Sequence, residues 1–146
     1  MRKKISKILC PYDGTDSSNF TFKNALNLAQ IFVAELLVLV CIKDKATFGF
    51  FKIKSDKEEI KNQKNWAQRK LSQLKDESEK NGVVMKSKIL KCNIISKEIV
   101  DFAKKEKVDM IAMSKSKYGT PAEEIYSEST VDRVMNESPC TFILIK

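Results

Sequence analysis

The chain has 146 residues, 42% hydrophobic and 32% charged, which is the size and balance of one globular domain with a core of its own. It contains no histidine, so Ser-His and Cys-His nucleophile pairs, a histidine general base and histidine metal ligands are all excluded. Lys+Arg number 27 against 19 Asp+Glu, a formal charge of +8, but only Arg2, Arg69 and Arg133 are arginines and the lysines mix with acids, a solvated surface rather than a specific nucleic-acid stripe.

Ile5 to Tyr12 is a short β-prone run that ends at Asp13-Gly14. Asp16, Ser17 and Ser18 supply N-cap chemistry, and Phe22, Ala25, Leu26 and Ala29 follow at helical spacing. Leu36 to Ile42 is an unbroken apolar run, which fits a central strand buried on both faces. An insert from Lys43 to Ile53 carries Phe48-Gly49-Phe50-Phe51, either a contact-making lid or a satellite of the core. A long charged helix is expected from Ser55 to Lys80, with Ile60, Ala67, Leu71 and Leu74 inward and Trp66 at the margin as packing. Asn81-Gly82 stops it.

Val83 to Leu90 reads as an edge or half-buried strand. Ile95, Ile99, Phe102 and Ala103 mark a third helix that ends around Lys107, and Val108 to Met113 is a short strand. Ser114 to Pro121 is a polar loop, and a fourth helix is expected from Glu123 to Glu137 with Ile125, Val131, Val134 and Met135 inward. Pro139 breaks the chain before a last strand, Thr141 to Ile145. Strict alternation of strand and helix implies right-handed crossovers and a parallel sheet covered on both faces. The expected fold is therefore α/β: one Rossmann-like domain over residues 1–146, a doubly wound parallel five-stranded sheet in the order 3-2-1-4-5 with four helices.

Cys10, Cys41, Cys92 and Cys140 lie in or beside apolar runs and form no Cys-x-x-Cys, so no metal site is expected. The basic start, Met1 to Lys4, precedes an apolar run too short and too interrupted for a signal peptide, and no run is long enough to span a membrane. Reduced core thiols in a cytoplasmic protein are the expectation.

In a doubly wound sheet, ligands gather outside the carboxyl ends of the strands where the strand order reverses. That places Pro11 to Ser18, Cys41 to Asp44, Lys91 to Asn93 and Met113 to Pro121 along one edge. The segment Ile8-Leu9-Cys10-Pro11-Tyr12-Asp13-Gly14-Thr15-Asp16-Ser17-Ser18 resembles the opening of a universal stress protein. Glu35 to Ile42, Ile99 to Ala103 and Val108 to Met113 resemble that family's second strand, third helix and fourth strand. Val134 to Ile145, with its Pro139-Cys140 turn, is similar to its closing helix and strand.

Many members of that family bind ATP through Gly-x-x-Gly, nine residues, then Gly-Ser/Thr after the fourth strand. Aligned from Met113, the two loop glycines fall on Ser114 and Lys117; aligned from Pro139-Cys140, the third falls on Glu128, followed by Ser129 and Thr130. One extra residue separates the two alignments, and Gly119 is the only glycine in the region. Side chains at Ser114 and Lys117 occupy phosphate space, and Glu128, with Glu123 and Glu124, sets negative charge against a phosphate. Lys115 and Lys117 remain as point charges, and Ser116, Ser129 and Thr130 as hydrogen-bond donors.

The resemblance also implies that Pro11 and Asp13 line the cleft and that Cys41 brushes the base. Asp13 has a second reading, a turn residue bonding nearby N–H groups ahead of Gly14, and Cys41 a second reading as a small buried hydrophobe. Together these imply a non-enzymatic stress-response module with a degenerate nucleotide loop and no certain cofactor. It would act as a homodimer through the edge strand at Phe142, Ile143, Leu144 and Ile145, with a further protein partner unidentified. The alternative keeps an ATP or AMP site in altered form, as a sensor or slow hydrolase. Asp13 to Ser17 only faintly resembles an ATP pyrophosphatase loop, since the leading serine and glycine pair are missing.

Overall fold

The computed structural model describes residues 4–43, 54–115 and 128–146. Strand and helix alternate through β1 (Lys7–Pro11), α1 (Asp16–Phe32), β2 (Glu35–Lys43), α2 (Lys54–Lys80), β3 (Met85–Cys92), α3 (Ile95–Lys105), β4 (Met110–Met113), α4 (Glu128–Glu137) and β5 (Thr141–Leu144). The pairings are parallel and the order is β3-β2-β1-β4-β5, as the alternation predicts. Two crossovers build outward from β1 to β3. The chain then returns to the far side of β1 for β4 and β5, so the switch in strand order lies between β1 and β4.

Leu36 to Ile42 of β2 are all buried, because helices cover both faces of the sheet. Ile8, Cys10, Tyr12, Val38, Val40 and Ile42 pack on one face with Phe22, Ala25, Leu26 and Ala29 of α1 and Ala67, Leu71 and Leu74 of α2. Leu9, Leu37, Leu39 and Cys41 pack on the other with Ile95, Ile99, Val100 and Ala103 of α3 and Val131 and Val134 of α4. The opposite end of the sheet is tied by Asp109. Its Oδ2 accepts from the Ser6 backbone N–H at 2.9 Å, the Ser6 hydroxyl at 2.8 Å and the Lys7 N–H at 3.0 Å, joining the start of β1 to β4.

Three local expectations are corrected. The N-cap of α1 is Thr15, not Asp16, Ser17 or Ser18: its Oγ1 accepts from the Ser18 N–H at 3.2 Å. The third helix stops at Lys105, and Lys107 takes a left-handed turn (φ 53) into β4. Met135 is exposed, because it lies off the centre of the narrow stripe that Val131 and Val134 bury. Strand ends differ from the expected ones by one or two residues, within the fraying of such boundaries. No helix among the described residues is long and apolar enough to cross a membrane. The Phe48, Phe50 and Phe51 loop, Lys117, Gly119, Glu123, Glu124 and Ile125 lie outside the described residues.

Candidate functional site

β1 delivers Pro11 to the carboxyl edge of the sheet, and Asp13 and Gly14 turn the chain into α1. Gly14 has φ +83, and a side chain there would also run into the Trp66 indole of α2, so glycine is required twice over. Asp13 closes the turn. Its Oδ1 accepts from the Thr15 N–H at 3.0 Å and the Thr15 hydroxyl at 2.6 Å, while its own N–H donates to Ser18 Oγ at 3.3 Å. The turn reading of Asp13 is therefore realised, and the carboxylate still borders the cleft. Its charge reaches the neighbouring strand: burial first, then Asp13, pushes the Cys10 thiol up to about 12 and the Tyr12 hydroxyl above its usual value.

β4 delivers Met113 and Ser114 to the same place. The Thr21 hydroxyl donates to the Ser17 carbonyl at 2.8 Å and meets the Ser114 hydroxyl at 2.5 Å, while Ser114 Oγ lies 3.2 Å from the Ser17 carbonyl. The serine standing at the first glycine of the family pattern is thus latched onto the first turns of α1. Lys115 pairs with Asp132 of α4 at 2.9 Å. Between Pro11, Asp13, Thr15, Ser17, Thr21 and Ser114 there is room of about 10 Å³, that of one water molecule.

Of the sequence-predicted site, Pro11, Asp13, Met113 and Ser114 come together around this cleft. Cys41 is buried on the α3/α4 face and does not line it; Cys92 and burial together push its thiol up. Ser129 and Thr130 sit in the first turn of α4, each engaged in an interaction of its own, and neither borders the cleft. Lys117 is outside the described residues. In the described part of the segment after β4, Ser114 and Lys115 are both engaged within the protein.

Sequence reading singled out Ser17 and Ser18 only as helix caps within the Pro11 to Ser18 segment, and it missed the hydroxyls of Thr15 and Thr21 at the cleft. The i, i+3 and i+4 spacing of these four hydroxyls behind β1 is the signal that puts hydroxyls on one side of a helix start.

The model of the universal stress protein family matches residues 4–146 of the chain. Universal stress protein MJ0531 of Methanocaldococcus jannaschii is 31% identical over 141 residues, 96% of this chain and 81% of that protein. The solved universal stress protein UspA from Lactobacillus plantarum is similar with a TM-score of 0.82 at 22% identity, over 99% of this chain and 100% of that one. The universal stress protein from Archaeoglobus fulgidus in complex with dAMP is similar with a TM-score of 0.64 at 17% identity, over 97% and 98%. At those identities the two structural likenesses speak for the fold.

Proposed function

Because the chain belongs to the universal stress protein family, we propose that it is a non-catalytic stress-response module that works by contact, as a homodimer in the cytoplasm. The observation that carries this reading is the open edge at β5. Among the described residues the strand pairs with β4 alone, and Phe142, Ile143, Leu144 and Ile145 stay only partly buried. A short apolar strand with one unpaired side is a template for a second strand, and its own copy, related by a two-fold axis, satisfies it. Regulation by contact also suits a chain without histidine, whose hydroxyls at the cleft are engaged with one another, with the Ser17 carbonyl and with the Asp13 carboxylate that closes the turn. Light scattering at micromolar concentration tests it: twice the chain mass is expected, and a single-chain mass removes the homodimer.

A second reading, a nucleotide site in altered form, is favoured by two observations. Asp13 is held at the switch point by Thr15 and Ser18, and the Archaeoglobus fulgidus relative was solved with dAMP. On this reading Asp13 and Pro11 face a nucleoside, and the hydroxyls at the start of α1 replace part of the lost glycine cradle. Calorimetric titration with AMP, then with ATP and magnesium, decides it. Neither heat nor a thermal shift at millimolar nucleotide leaves the contact module alone.

A further inference from the structure

All strands of a parallel sheet start at one end of it, so the four helices finish there too, at the amino end and away from the cleft. One corner of that end is apolar. Ile31 is 72% exposed, Phe32 37%, Val33 84% and Val84 64%, four of the seven large apolar side chains left exposed among the described residues. The first three close α1, and the fourth leads into β3. Gln30 Nε2 donates to the Asn81 carbonyl at 2.8 Å, which joins the turn after α1 to the turn after α2. Val33 and Val84 flank one groove of about 560 Å³, with Ala29 and Ala34 in its wall.

Val33 caps α1 in the left-handed region, φ 53 and ψ 47, where glycine or asparagine is usual and a β-branched residue is strained. Its side chain lies in solvent, so no packing within the chain offsets that strain. A single apolar side chain on a surface needs no explanation; a strained one grouped with three others does. The rest of the amino end is basic. Lys4, Lys80, Lys104, Lys105 and Lys107 are exposed there, and none of them is in an ion pair among the described residues. Glu35 is matched by Lys86 and Asp109 by the start of β1, which leaves Glu77, Glu79, Glu106 and Glu137 as the smaller opposing charge. Lysine at a helix end suits the macrodipole in any protein, so the charge by itself marks nothing. Beside an apolar corner it gives the surface a chemistry.

We propose that the amino end of the sheet docks on an anionic lipid bilayer, with Ile31, Phe32, Val33 and Val84 entering the headgroup region and the lysines meeting lipid phosphates. A planar partner touches all the turns at one end of a sheet together. A protein partner calls for aromatic and arginine anchors, whereas lysine and aliphatic side chains prevail here. Four exposed side chains hold a bilayer only weakly, so ionic attraction is needed as well and binding is reversible. The corner belongs to the β1-to-β3 half of the sheet, so pairing at β5 leaves it open and the inference does not rest on the dimer.

The test sediments the full chain with vesicles of phosphatidylcholine, alone or mixed with phosphatidylglycerol. Binding to the mixed vesicles at low salt is expected, with release at high salt and none on phosphatidylcholine alone. Val33→Asn keeps the left-handed turn with less strain. It should therefore melt no lower than the wild type while binding about tenfold more weakly. Lys104→Gln together with Lys105→Gln should weaken binding about 30-fold. A chain left in solution beside the mixed vesicles overturns the proposal, and so does equal binding to both kinds of vesicle. Val33→Asn that binds as the wild type does would show ionic attraction alone and overturns it too. Light scattering without vesicles checks the remaining occupant: an assembly that Val33→Asn takes apart assigns the corner to a second copy of the chain instead.

Discussion

The sheet has two edges, and the sequence treats them oppositely. β3 carries exposed Lys86, Ser87, Lys88 and Lys91 along its length, with Lys86 reaching Glu35 of β2 at 3.3 Å. β5 offers Phe142, Ile143 and Leu144, all partly buried, with Ile145 continuing the run. The first edge is blunted: any strand that approached would meet a row of ammonium groups. The second is short, neutral and apolar. Its backbone is asymmetric too. The Ile145 N–H donates to the Met113 carbonyl at 2.8 Å, so by strand alternation the N–H and C=O of Phe142 and Leu144 turn outward. One edge is blunted against pairing, and the other is the edge through which the proposed dimer would form.

The harshest way to break the comparison is to remove the middle they share. Ile111→Ala in β4 empties a fully buried site and should cost about 2–5 kcal/mol, collapsing both edges together in a denaturant melt. Leu144→Pro acts on one edge only. It removes an outward donor without touching the bond at Ile145, so self-association should weaken about 100-fold by sedimentation while the far-ultraviolet spectrum is kept. A chain that stays dimeric would show that the edge is not the contact.

Alkali separates the centre from either edge. The folded chain keeps the Cys10 proton up to about 12, whereas the unfolded chain releases it near 9.0. Stability is therefore complete below pH 9 and declines as pH rises toward 12, by at most about 1.4 kcal/mol per pH unit. The melting temperature should fall between pH 8 and pH 10, and by less in Cys10→Ala. The gentlest probe is Lys86→Ala. An exposed ion pair contributes under about 1 kcal/mol, so stability and mass in solution should both be nearly unchanged.

The fold was legible because its signals are long and redundant. Leu36 to Ile42 fits a two-faced buried strand between its polar flanks, and Phe22, Ala25, Leu26 and Ala29 mark one helical face. Of the candidate residues, Pro11, Asp13, Met113 and Ser114 meet because the parallel topology carries the ends of β1 and β4 to one edge. What escaped were bonds between residues far apart in the chain. Ser114 on Thr21 and Asp109 on Ser6 are set by how strands are ordered, and a short polar side chain carries no periodic mark of its distant partner. Thr15 escaped for a local reason: four neighbouring residues can all cap a helix, and only the turn at Gly14 decides which one does.

That same turn carries the chain's single tryptophan against it, since the indole of Trp66 rests on Gly14. The molecule thus contains its own optical probe, placed one residue from Asp13. Whatever moves the turn between β1 and α1, whether a nucleotide, a substitution or the loss of α2 from the sheet, changes the surroundings of one fluorophore with no other tryptophan to obscure it.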